Sequence, residues 1–171
     1  MRHIAFIIKM IIVAFLMGCT SHQETISKPP VPDIQLSETL VNELRSLKGV
    51  PEEITSQYIY LRSKLEREFY DSRYLSNTNA YWQGQAGQQI ISMGKAALPF
   101  IMLEIEYGNF FFNVPARKIT GLSMRRENEF ASEQEYAKRW ANWWQINKNN
   151  PEWNIYVEHS NEGESADVQQ K

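Results

Sequence analysis

The stretch "QQIISMGKAALPFIMLEIE" at residues 88–106 decides the fold, because it holds two apolar runs separated by a short break. Gly94 ends the first run, and Pro99 stands near the start of the second. Glycine commonly closes a helix, whereas proline is favoured in the first helical turn. The pattern therefore predicts one helix over residues 81–93 and a second helix over residues 98–108.

Two further helices are predicted on the N-terminal side of this stretch. Ser37 is a suitable N-cap, and helically spaced apolar residues follow it as far as Gly49. Pro51 opens a longer helix that we expect to run to Leu75. Its apolar positions recur at steps of three and four, which indicates one buried face. That face consists of Ile54, Tyr58, Leu61, Leu65 and Phe69. The charged residues expected on the solvated side are Arg62, Lys64, Glu66, Arg67 and Glu68.

On the C-terminal side, the sequence predicts a short helix over residues 114–120, closed by Gly121. A longer helix begins at Ser132 and is expected to end at Asn147. No segment shows the period-two alternation of a half-buried strand bounded by hairpin turns. We therefore expect an all-α fold, in the form of a compact multi-helix domain over residues 36–157.

The last helix is rich in tryptophan. Tyr136, Trp140, Trp143 and Trp144 fall within an arc of about 100°, the width of a core-facing stripe. Trp140 lies near the centre of the arc and is predicted to be core. Trp143 and Trp144 flank it on opposite sides, so one of them is expected to be partly exposed. Both flanking tryptophans are candidate contacts for a partner.

The stretch at 88–106, followed by "ARKITG" at 116–121 and "WANWWQINK" at 140–148, resembles the HEAT-like repeats of bacterial proteins. In that family a helix ends at a glycine, an alanine-rich turn with a proline follows, and a second helix returns. Those places are filled here by Gly94, Ala96, Ala97, Leu98 and Pro99. The resemblance covers residues 81–148 and implies an interaction surface, with a HEAT-like core in a compact domain.

The N-terminus has the layout of a bacterial export signal. Two basic residues precede an apolar run over residues 10–18, which is shorter than the ~20 residues of a membrane-spanning helix. The run ends in "LMGC" at 16–19, which resembles the lipobox of bacterial lipoproteins. The resemblance implies a signal peptide over residues 1–18 and lipidation of Cys19 with acyl chains such as palmitate. The alternative is a signal-peptide cysteine without a role.

The segments on either side of the domain are expected to lack a core of their own. Residues 19–35 are polar and contain three closely spaced prolines, which predicts an extended tether. The alternative is an ordered arm that packs on the domain. Residues 158–171 are acidic and polar, which predicts a disordered tail. In bacterial lipoproteins an aspartate after the lipidated cysteine retains the protein in the inner membrane. Thr20 stands there instead, so we expect anchoring in the outer membrane, facing the periplasm.

The charge of the chain limits the classes of partner. The net charge is −2, and it becomes −4 when the signal peptide takes Arg2 and Lys9 with it. Binding to DNA or RNA relies on lysine and arginine at phosphates, so we expect no nucleic-acid partner. The expected partners are the membrane, through the lipid anchor, and another envelope protein.

Residue types that carry catalysis are scarce. The only cysteine is Cys19, and the histidines are His3, His22 and His159, all outside the predicted domain. This pattern argues against a disulfide, a histidine-assisted nucleophile and a histidine-based zinc site, so no cofactor or metal is predicted. Glu104 and Glu106 are two residues apart on one helix and are expected to point in different directions. A pair of carboxylates from two helices stays open as an alternative.

Two segments are candidate binding surfaces. Phe110, Phe111 and Phe112 cannot all face one core if they are extended, because successive side chains alternate. They are therefore candidate partner contacts, with packing beneath neighbouring helices as the alternative. A basic cluster, either an anion site or solubilising charge, consists of Arg117, Lys118, Arg125 and Arg126.

These observations predict a membrane-anchored envelope lipoprotein that acts without catalysis, as a protein-interaction or accessory module. The alternative is a small envelope hydrolase that acts on peptidoglycan through paired carboxylates. Two inward-facing acids in a deep cleft would favour the hydrolase, whereas exposed aromatic side chains on an open surface would favour the interaction module.

Overall fold

The computed structural model describes residues 34–70 and 77–157. All of them belong to one compact unit. The predicted signal peptide at 1–18, the lipidation site Cys19, most of the tether and the tail at 158–171 lie outside the described residues.

The described part of the chain is entirely helical, without a strand, which confirms the predicted all-α fold. Its seven α-helices are α1 (Glu38–Arg45), α2 (Glu52–Phe69), α3 (Thr78–Tyr81), α4 (Gln85–Ser92), α5 (Leu98–Glu106), α6 (Asn113–Thr120) and α7 (Glu133–Asn147). Two short 3₁₀ helices, Gly94–Ala97 and Phe110–Phe112, lead into α5 and α6.

The helix ends follow the capping residues that the sequence predicts. The side chain of Ser37 accepts a hydrogen bond from the Leu40 amide at 3.2 Å, and the side chain of Ser132 accepts one from the Glu135 amide at the same distance. Each bond satisfies an amide that has no partner within its own helix. Gly121 ends α6 in the left-handed conformation, with φ of 72°.

The single helix predicted over residues 81–93 is wrong, because α3 and α4 are separate. Gly84 is extended, with ψ of 166°, and acts as the N-cap of α4. At Gly87, a Cβ atom would lie 3.0 Å from the Cα atom and the carbonyl oxygen of Trp82. The two glycines therefore let the chain fold back closely against Trp82 instead of continuing as one helix. The helix α2 also ends at Phe69, earlier than predicted.

The core is built around α5, in which seven of nine residues are buried. This helix packs against α6 and α7, while α2 packs against α4. A helix that is apolar on nearly all sides belongs inside a domain, as the run "LPFIMLEIE" at 98–106 indicates. The largest buried side chains of the core are Trp82, Trp140, Tyr58, Phe100 and Phe112.

The phenylalanine run is a wedge of the core. It forms a 3₁₀ helix, so the extended alternation considered from the sequence does not apply. Phe112 is fully buried, with its ring centroid 4.9 Å from that of Trp82. The Trp82 indole Nε1 donates a hydrogen bond to the Phe111 carbonyl at 2.7 Å. Phe110 and Phe111 are partly exposed and pack against the core from its edge.

The tryptophan-rich helix α7 has the orientation that its sequence predicts. Trp140 and Trp144 are buried, and Trp143 is the partly exposed flanking residue. Its ring packs edge-on against Trp140 and Trp153, at centroid distances of 5.5 and 5.3 Å. The reverse face carries the exposed residues Lys138, Asn142 and Gln145.

Candidate functional site

One charged residue of α2 lies in the core. Arg62 is 4% exposed, although its sequence position predicted a solvated side chain. Its Nε atom donates to Glu104 Oε1 at 2.6 Å, and its Nη1 atom donates to Glu66 Oε1 at 2.5 Å. Glu104, on α5, is itself 3% exposed. The prediction for Arg62 was wrong because the carboxylate that neutralises it comes from a different helix.

Two further polar side chains extend the network around Arg62. Asn109 Nδ2 donates to Glu104 Oε2 at 3.1 Å, and the Tyr81 hydroxyl donates to Glu66 Oε1 at 2.8 Å. Burial opposes the charge on Arg62, but the carboxylates of Glu104 and Glu66 more than compensate and raise its pKa above the usual range. For the neutral Tyr81 hydroxyl, in contrast, burial itself raises the pKa above its usual value. These groups hold their protons firmly, which suits a structural role.

Glu104 and Glu106 point in different directions, as predicted. Glu104 faces the core, whereas Glu106 is exposed and accepts a hydrogen bond from Gln145 Nε2 at 2.6 Å. The acids that do converge are Glu66 and Glu104, which share the Arg62 guanidinium between them. Neither of these two carboxylates lines any of the three concave regions described below.

The first concave region is a small polar cleft of about 100 Å³ between α6, α7 and the loop that joins them. Two members of the predicted basic cluster, Arg117 and Arg125, line this cleft. Arg125 forms an ion pair with Glu133, and its guanidinium carbon lies 5.0 Å from the centre of the Tyr136 ring. Asn113 Nδ2 also donates to Glu133 Oε2, at 3.0 Å. The cleft thus contains one carboxylate, that of Glu133, which already interacts with Arg125 and Asn113.

The second concave region is larger and lies between α2 and α4, with a volume of about 640 Å³. Its wall on α2 repeats at steps of three and four along one side of the helix. The residues of this wall are Ile54, Gln57, Tyr60, Leu61 and Lys64. The opposite wall comes from α4 and the turn that follows it, and consists of Gln89, Ser92, Met93 and Ala96.

The third concave region, of about 340 Å³, continues along α2 toward its C-terminal end. It is lined by α2, by Val41 of α1 and by the chain before α1. Tyr60, which is 59% exposed, lines both this region and the second one, so we name the two together the α2 groove. Ile34 and Gln35 belong to the predicted tether, yet they help to form this end of the groove.

The α2 groove carries positive charge. Lys64 and Arg67 line it, and no carboxylate does. The Lys64 ammonium lies 5.6 Å from the centre of the Tyr60 ring. Within residues 34–70 and 77–157, neither Lys64 nor Arg67 forms an ion pair. Glu53 is one turn before Gln57 on α2, but it lines neither region.

The aromatic residues proposed from the sequence as partner contacts lie elsewhere. Phe112 and Trp144 are buried, which leaves Phe110, Phe111 and Trp143 partly accessible. None of the five lines the α2 groove. The signal for the groove was present in the sequence as the spacing of residues 54, 57, 61 and 64. The opposite wall belongs to a different helix, α4, and the spacing along α2 does not indicate which segment packs beside it.

The chain matches no protein-family model, no curated protein and no solved structure. In the described part of the chain, no helix has both the length and the apolar character to cross a bilayer. The same residues contain no group of three or more histidine, cysteine, aspartate or glutamate side chains placed to hold a metal ion.

Proposed function

We propose that this protein is a membrane-anchored envelope lipoprotein whose helical domain binds another envelope protein and has no catalytic role. The lipobox-like segment that ends at Cys19 supports the lipid anchor, and Thr20 supports the outer membrane as its location. The HEAT-like pattern at residues 81–148 supports the interaction role, because that family presents helical surfaces to partners.

The observation that carries the proposal is the α2 groove. Its walls combine the apolar side chains of Ile54, Leu61 and Met93 with the amides of Gln57 and Gln89. Protein-binding grooves between helices use such a mixture, since apolar side chains provide affinity and polar groups fix the position of the partner. Tyr60 adds an exposed aromatic ring of the type enriched at interfaces.

The peptidoglycan-hydrolase alternative requires two carboxylates that face one cleft, with one acting as acid and the other as base or nucleophile. Among the three concave regions described above, only the polar cleft has a carboxylate, and it has one, Glu133. Glu66 and Glu104 are close, but Arg62 and its neighbours engage Oε1 of Glu66 and both carboxylate oxygens of Glu104. This distribution of acids favours binding over hydrolysis.

Photocrosslinking from matched positions tests the binding role. Tyr60 is 59% exposed and Tyr107 is 57% exposed, so a photoreactive phenylalanine analogue at either position samples a similar area. In the lipidated full chain, in its native envelope, we expect adducts with another protein from position 60 and not from position 107. Equal adducts from both positions, or release of soluble fragments from peptidoglycan by the purified protein, would contradict the proposal.

The anchor is tested separately with Cys19→Ser. We expect this variant to lose acyl label and to leave the detergent phase, because an acyl chain contributes ~0.8 kcal/mol of membrane affinity for each buried CH₂ group. A Cys19→Ser chain that keeps its acyl label would contradict lipidation at Cys19, and the binding role would still stand.

A further inference from the structure

We propose that the α2 groove binds an acidic amphipathic segment of the partner, whose apolar side chains enter between α2 and α4 and whose carboxylates pair with Lys64 and Arg67. This inference rests on the proposed binding function and adds the chemistry of the segment that is bound.

The length of the groove sets the length of the segment. The groove extends along α2 from Ile54 to Arg67, which is about 20 Å at the helical rise of 1.5 Å per residue. A partner helix of about 13 residues, or an extended segment of about six, covers that distance. A segment of either kind presents two or three apolar side chains to one face.

Apolar side chains line both parts of the groove, and the larger part lies between α2 and α4. Ile54, Leu61, Met93 and Ala96 line this part, and its volume is nearly twice that of the region beyond Tyr60. The amide side chains of Gln57 and Gln89 form no hydrogen bond within the described residues. They are free to bond to the backbone of a peptide, which a lipid acyl chain does not offer. These features favour a protein segment as the occupant.

The positive charge of the groove favours a segment with negative charge. Lys64 and Arg67 are three residues apart on α2 and so lie on the same side of the helix. Both cations line the groove and no carboxylate does, which makes its lining positive on a chain whose net charge is −2. Glu68 is one turn after Lys64 on α2, but its carboxylate accepts hydrogen bonds from the Ala86 amide of α4. Carboxylates of the partner gain attraction here, whereas a basic segment is repelled.

The experiment identifies the bound segment directly. The photoreactive analogue replaces Gln57 in the lipidated full chain, in its native envelope, and mass spectrometry locates the crosslinked residues. We expect them in another protein, within a segment that has at least two apolar residues and two carboxylates in ~13 residues. Adducts with a basic segment, with lipid, with a second copy of this chain or with residues 158–171 would overturn the inference.

Charge reversal tests the electrostatic part. Lys64→Glu with Arg67→Glu should reduce the adduct from position 57 about tenfold, because two attractive contacts become repulsive. Lys118→Glu with Arg126→Glu makes the same change of charge on an exposed surface away from the groove and should leave the yield unchanged. Thermal unfolding of both double variants checks that the domain stays folded.

The outcomes separate this inference from the proposed function. If positions 60 and 57 both crosslink to another protein but charge reversal in the groove has no effect, the binding role holds and the acidic segment is wrong. If neither position gives a protein adduct above that of position 107, the binding role and the acidic segment are both wrong.

Discussion

Arg62 and Arg67 are the same residue type on the same helix, yet their surroundings are opposite. Arg62 is buried between two carboxylates, whereas Arg67 is exposed at the end of the α2 groove and has no ion pair among the described residues. Five residues along a helix of 3.6 residues per turn amount to a rotation of about 140°, so the two side chains leave α2 on different sides. One side stabilises the fold, and the other is exposed at the α2 groove.

The difference shows what neutralises a buried charge. Glu66 is one turn from Arg62 on α2 and is visible in the sequence as a local pair. Glu104 is 42 residues away and meets Arg62 only because α5 packs into the core. Taking a guanidinium out of water is costly unless such partners are in place. Whether a cation of an amphipathic helix is buried therefore depends on the partners that other helices supply. Its position in the sequence of its own helix does not decide this.

The largest effect is expected for Arg62→Ala. This substitution leaves Glu104 buried without the guanidinium that neutralises it, which should lower the free energy of unfolding by about 3–5 kcal/mol. Urea unfolding of the full chain measures the loss. Combining Arg62→Leu with Glu104→Leu removes both charges and should recover most of the stability, since a buried ion pair replaced by apolar groups is often neutral. A loss below 1 kcal/mol for Arg62→Ala would remove the distinction between the two arginines.

A similar contrast in stability between a buried and a partly exposed side chain is expected within α7. Trp140→Ala should cost about 3–5 kcal/mol, because it leaves a cavity at the centre of the buried stripe. Trp143→Ala should cost less, since that ring is partly exposed and packs on Trp140 and Trp153 at the surface. Urea unfolding of both variants gives the comparison. Equal losses would mean that Trp143 contributes to the core as much as Trp140 does.

Much of the fold follows from local sequence signals. Ser37, Ser132 and Gly121 act at helix ends in the structure as the sequence predicts, because capping depends on a few neighbouring residues. The orientation of α7 follows from the spacing of its tryptophans. Helix ends and faces are determined by residues within a turn or two, so the sequence is enough to predict them.

The missed features depend on contacts between distant segments. The break between α3 and α4 requires Gly87 to lie against the backbone of Trp82, and this close approach carries no periodic signal. The burial of Arg62 requires Glu104. The α2 groove requires two separate helices to form its walls. Spacing along one helix predicts neither the break nor the burial of Arg62, and it indicates only the α2 wall of the groove.

A smaller effect on stability is expected at the ion pair of Arg139 and Glu129. Both side chains are partly exposed, so their burial lies between that of Arg62 and that of Arg67. Arg139 donates to both Glu129 oxygens, at 2.6 and 2.5 Å, and to the Met124 carbonyl at 3.0 Å. Hydrogen bonding from Arg139 lowers the pKa of Glu129 from 4.5 to about 2. The pair therefore stabilises the loop before α7 fully above pH 4.5, and this contribution is lost as the pH falls toward 2.

Carboxyl NMR titration of Glu129 measures this contribution. We expect a midpoint near pH 2 in the parent chain and a return toward 4.5 in Arg139→Gln, which lacks the charge. The amides of residues 124–129 should exchange faster with solvent at pH 3 in the variant than in the parent. A midpoint of about 4.5 in the parent would show that the ion pair does not hold the loop.

The smallest effect on stability is expected for Arg67→Gln, and it gives the sharpest test of the opening comparison when measured beside Arg62→Gln. Arg67 is exposed, and no described carboxylate depends on it, so its replacement should change the free energy of unfolding by no more than about 0.5 kcal/mol. Arg62→Gln removes the same charge from the same helix, but it leaves Glu104 and Glu66 without a cation and should be strongly destabilising. Urea unfolding under one set of conditions compares the two directly. If Arg67→Gln proves as costly as Arg62→Gln, then Arg67 has a structural partner, and the positive charge that we assign to a binding partner belongs to the fold instead.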